Sequence, residues 1–64
     1  MIRKNLTIDE LNVIAMYMDN DIREQVHFEL TPCMPYEFLT RYLELDNNFI
    51  NVLNSEFHFV MEDK

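Results

Sequence analysis

Leu6-Thr7-Ile8-Asp9-Glu10-Leu11-Asn12-Val13-Ile14-Ala15-Met16-Tyr17-Met18 is the stretch that decides the fold class. Thr7 followed three residues later by Glu10 is a capping box. The hydroxyl takes a free backbone N–H at a helix start, and the carboxylate reaches back to the Thr amide. Leu6 before the cap and Leu11 at the fourth helical position form a hydrophobic staple, while Asp9 and Glu10 place negative charge against the positive end of the helix dipole. Ile8, Leu11, Ile14, Ala15 and Met18 then recur at spacings of three and four, the apolar stripe of an amphipathic helix. The pattern predicts a helix over about 8–18.

Working outward, Asp19-Asn20-Asp21 interrupts the stripe with residues that favour caps and turns, and Asp21 with Glu24 predicts a second helix over about 21–30. Ile22, Val26 and Leu30 share one face of it, and Phe28 lies off that line, to be packed against another element or partly exposed. Thr31-Pro32 ends it, because Pro lacks an N–H and disfavours helical backbone in the residue before it. Pro35 suits the first position of a third helix over about 35–46, whose face carries Phe38, Leu39, Tyr42 and Leu45. Asp46-Asn47-Asn48 reads as a break before a fourth helix over about 48–54, with Phe49, Ile50 and Leu53 apolar. In residues 55–61, Phe57, Phe59 and Met61 alternate as in a strand. A lone strand has no partner, so a short helical turn that packs Phe57 on the core is expected there. The class is all-α: one compact domain, residues 1–64, of three to four short helices.

The chain contains no Gly, where average usage of about 7% would supply roughly four or five. That excludes the phosphate-cradling loop, the dinucleotide fingerprint and the standard calcium loop, and it removes the tight hairpins that use Asn-Gly or Asp-Gly. Helix endings must then use Asp, Asn and Pro in place of the usual Gly, and Asn20 and Asn47 are the candidates for left-handed backbone. A chain of 64 residues holds one small core and little room for an enclosed cleft. No catalytic residue and no cofactor is expected. His27, Cys33 and His58 lie scattered, without the paired ligand spacing of a zinc site, so no metal is expected either. Cys33, between two Pro, reads as a small, partly buried residue rather than a nucleophile.

Charge bears on the partner. The formal net charge is −7, but Arg3, Lys4 and Lys64 sit at the ends. Residues 9–63 therefore hold two bases, Arg23 and Arg41, against twelve acids, a local charge of −10. Such a field repels nucleic acid and anionic lipid and favours a basic protein. The longest apolar run, Val13 to Met18, is six residues, far short of the roughly 20 needed to span a membrane. A single Cys fits a reducing cytoplasm. Five Phe, three Tyr and five Met exceed what so small a core can bury, which leaves a patch for a partner with an apolar groove or for a second copy as a homodimer.

The segment Leu6 to Tyr17, a turn, Arg23 opening the second helix, and a closing Leu53 with Glu56-Phe57 resemble the small acidic proteins of Gram-positive conjugative transposons known as the transposon-transfer assisting family. The resemblance implies a compact helical fold and a non-enzymatic accessory role in transfer or maintenance of a mobile element through protein binding. Tyr17 and Arg23 are the matched positions least explained by packing, since an Arg at a helix start opposes the dipole. With Tyr36 and Tyr42 they form the candidate partner-binding set. The alternative reading is an acidic mimic of DNA, whose carboxylates imitate phosphates and occupy the basic groove of a DNA-binding host protein; its binding must weaken steeply with salt.

Overall fold

The structure is a computed structural model, and it describes residues 2–30 and 34–61. Four helices follow in order: α1 (Ile8–Ala15), α2 (Asn20–Leu30), α3 (Pro35–Leu45) and α4 (Phe49–Glu56), with a closing 3-10 turn at His58–Val60. Among the described residues there is no sheet, and the fold is all-α, as the sequence predicts.

The capping box forms. The Glu10 amide donates to Thr7 Oγ1 at 3.1 Å, and the Thr7 amide donates to Glu10 Oε1 at 3.0 Å. Arg3 adds a 2.6 Å salt bridge to the same carboxylate oxygen. Helix α1 stops at Ala15, three residues before the predicted end. The amides of Met16, Tyr17 and Met18 reach back three residues, to the carbonyls of Val13, Ile14 and Ala15. The last turn is thereby tightened, as helix ends often are when carbonyls need partners.

The reason the chain leaves α1 there is Asp19. Its Oδ1 accepts from the amides of Asp21 at 2.9 Å and Ile22 at 3.1 Å, so Asp19, not Asp21, caps α2. Asn20 is consequently the first helical residue, and the left-handed conformation expected of it is replaced by helical backbone. The C-cap residues of α1, α3 and α4 keep negative φ. Met16 stays right-handed at φ −64°, while Asp46 and Phe57 break α3 and α4 at φ −135° and −133°. Thr31-Pro32 and Cys33 lie outside the described residues.

Pro35 opens α3 at the predicted position, and Glu37 accepts from the Met34 amide at 3.1 Å. Ile2, Leu6, Ile14, Met18, Val26, Leu39, Tyr42, Phe49, Leu53, Phe57 and Val60 form one buried apolar cluster. Ile8, placed by its spacing in the α1 stripe, is instead 60% exposed. The closing segment turns as predicted and buries Phe57, yet it also finds a partner: Met61 pairs antiparallel with Ile2, and the Arg3 amide donates to the Val60 carbonyl at 2.8 Å. Helices α2 and α3 make the most extensive packing between helices. Arg41 fastens them from outside, donating to Glu29 at 2.8 Å and to Glu44 at 2.9 Å.

Candidate protein-binding face

The four candidate residues do not converge. Tyr42 is fully buried at 0% exposure. Its hydroxyl donates to Asp46 Oδ2 at 2.9 Å and accepts from the Asp19 amide at 2.7 Å, and its ring meets Phe49 edge-on at 4.9 Å. Burial, with the Asp46 carboxylate beside it, pushes the phenol up to about 12. A side chain so enclosed offers no surface to a partner, and Tyr42 is a hub of the fold instead. Tyr36 is half-buried and packs on the same core. Tyr17 is 55% exposed, with its ring edge-on to Phe57 at 5.0 Å, and Phe57 in turn meets Phe59.

Arg23 lines a groove of about 700 Å³ between the outer faces of α1 and α2 and the start of α3. Its guanidinium donates to Asn20 Oδ1 at 3.2 Å, and it has no ion pair among the described residues. Its Nε is enclosed without a hydrogen-bond partner among the described residues. From α1 the groove takes Ile8, Leu11, Asn12 and Ala15; from α2, Glu24, His27 and Phe28 besides Arg23; and from α3, Pro35 and Phe38. Phe28, whose ring lies edge-on to His27, is 84% exposed. Sequence reading missed Ile8 as a surface feature; it left Phe28 either against another element or partly exposed, and the structure shows it exposed. The available signal was the position of Phe28 off the Ile22, Val26, Leu30 line.

Carboxylates occur on all four helices, and bases neutralise only some of them. Glu10 pairs with Arg3, and Glu29 and Glu44 pair with Arg41. Hydrogen bonds hold two of these below the usual carboxylate range: the Thr7 amide first and then Arg3 for Glu10, and Arg41 first and then Gln25 for Glu29. Asp9, Asp21, Glu24 and Glu56 have no ion pair among the described residues. The described His, Cys, Asp and Glu side chains form no cluster of three that could hold a metal. No described helix is long and apolar enough to cross a membrane.

A small all-helical body with an excess of carboxylates and an exposed apolar groove has the makings of a protein-binding module. Its sequence matches the family model of the anti-CRISPR protein AcrIC5 over residues 7–45, more than half of the chain, and the protein belongs to that family. No curated protein and no solved structure matches it. The match overturns the resemblance to transposon-transfer assisting proteins and the role inferred from it. It covers Thr7 to Tyr17 and Arg23, most of the residues on which that resemblance rested, and stops short of Leu53 and Glu56-Phe57. A capping box, a staple and an apolar stripe are devices by which many helices start, so they report a helix and not a lineage. Anti-CRISPR proteins bind Cas protein complexes, which agrees with a protein as the partner.

Proposed function

We propose that this chain inhibits a CRISPR–Cas effector by occupying a basic, nucleic-acid-binding surface of one of its proteins, as a binding protein without catalysis. The family match supports the target class. The observation that carries the mode is the charge: two bases against twelve acids over residues 9–63. A surface of that sign is complementary to one that has evolved to hold phosphates, and it competes with the nucleic acid for the same Lys and Arg side chains. Such an inhibitor serves a phage or another mobile element that meets CRISPR immunity in the host cytosol.

The test is competition. A purified, guide-loaded Cas effector is titrated with target DNA in the presence of the chain and at several salt concentrations. Loss of DNA binding, with inhibitor affinity falling as salt rises, is the expected result. An effector that still binds its target with the inhibitor attached would refute occlusion of the DNA site.

A further inference from the structure

The groove beside Arg23 is not explained by charge, and much of its lining is apolar. We propose that it seats one protruding apolar side chain of the inhibited Cas protein, flanked on that protein by Lys or Arg, with Phe28 as the anchor on this chain. The inference deepens the reading above and rests on it.

Three observations lead to this occupant. Phe28 is 84% exposed beside a slot floored by Leu11, Ala15 and Phe38, so a large ring and an apolar recess lie side by side in water. An aromatic of this size carries roughly 150–250 Å² of surface, and aromatic anchors in a pocket supply most of the energy of typical interfaces. The groove is also edged by carboxylates that have no ion pair among the described residues. Glu24 lines it, Asp21 stands one turn before Glu24 on α2, and Asp9 stands one turn before Asn12 on α1. Positions three apart on a helix are surface neighbours, so these acids bracket the slot and suit cations on either side of the inserted group. The third observation is the net charge of −7, by which two copies repel each other, whereas a basic partner is drawn in. A cationic surface with an apolar projection satisfies all three.

The two contributions separate experimentally. Dissociation constants are measured for a purified, guide-loaded Cas effector that the unaltered chain inhibits, at low and high salt. Phe28→Ala is expected to weaken binding about 10- to 100-fold at both salts, because the lost contact is apolar. Asp21→Asn combined with Glu24→Gln is expected to weaken binding at low salt and to lose much of that effect at high salt, where the charges are screened. Melting curves of both variants should match the unaltered chain. Unchanged affinity for Phe28→Ala overturns the anchor while leaving the proposed inhibition intact. If the unaltered chain neither binds nor inhibits any effector, the functional reading falls and this inference with it. A dimer in sedimentation that Phe28→Ala dissolves would assign the groove to a second copy and overturn the proposed occupant.

Discussion

Tyr42 and Phe28 occupy opposite ends of one scale. Both are large aromatics on helices, one with no exposed surface and the other with 84% exposed. The Tyr42 region is closed: its hydroxyl bonds Asp46 on the same helix and the Asp19 amide 23 residues away, and its ring packs on Phe49. The Phe28 region is open, apolar at its floor and acidic at its edge. Polar atoms did not send Tyr to the surface, nor did their absence send Phe inside. A buried hydroxyl is tolerated when it is fully bonded, and here the bonding fixes where α2 begins. An exposed ring is tolerated because one side chain gives up little, and it gains a use when a partner covers it.

The largest effect that could break this contrast is at Tyr42. Tyr42→Ala removes the centre of the core and is expected to cost about 3–5 kcal/mol, a large share of what holds so small a domain together. Thermal or urea melting should show little or no cooperative transition. A variant that melts like the unaltered chain would show that the closed region is not a hub.

Tyr42→Phe tests the hydroxyl alone. It leaves the ring but strips the Asp19 amide of its acceptor, for an expected loss of about 1–3 kcal/mol. A pH signature accompanies it. With the folded phenol raised to about 12 from its ordinary value of 10.0, the unfolded chain releases its proton first. The stability from this group is therefore fully present below pH 10 and is lost as pH rises through about 12. Melting temperatures should fall across that window in the unaltered chain, and Tyr42→Phe should remove that part of the fall.

These two sites also show what the sequence could disclose. The start of α1 was readable because Thr7 and Glu10 are three residues apart and complete each other locally. The cap of α2 was misread as Asp21, since both Asp19 and Asp21 are good caps and the choice is made by a contact to Tyr42 that no local pattern contains. Tyr42 itself carried a usable sign, an Asp one helical turn on at 46, which supplies a partner for a buried hydroxyl. The groove could not be read in full, because Ile8 fits the core spacing and only the packing of α1 against α3 turns it outward. Function was less legible still. The charge pointed to a basic protein, but the family rests on the similarity of residues 7–45 and on no single motif.

The caps should rank next. Asp19→Ala leaves the amides of Asp21 and Ile22 without their acceptor, and Thr7→Ala breaks the α1 box; each is expected to cost about 1 kcal/mol. The carboxyl of Glu10, held low by the Thr7 amide and then by Arg3, contributes stability that is present above the usual carboxylate value and is lost as pH falls through its lowered folded value. Glu10→Gln should accordingly flatten the acid limb of a melting-temperature profile. An unchanged acid limb would mean that the box and the Arg3 bridge do not favour the charged form.

The smallest expected effect is the sharpest test of the comparison. Phe28→Ala should move stability by no more than about 0.5 kcal/mol, since the side chain is already in water and its removal opens no cavity. The same substitution is the one expected to weaken binding most, so stability and affinity should part company most widely at this position. If melting instead shows a loss of 2 kcal/mol or more, Phe28 packs in solution against the groove floor of Leu11, Ala15 and Phe38. The open region would then be a second piece of core, and the distinction between the two aromatics would disappear.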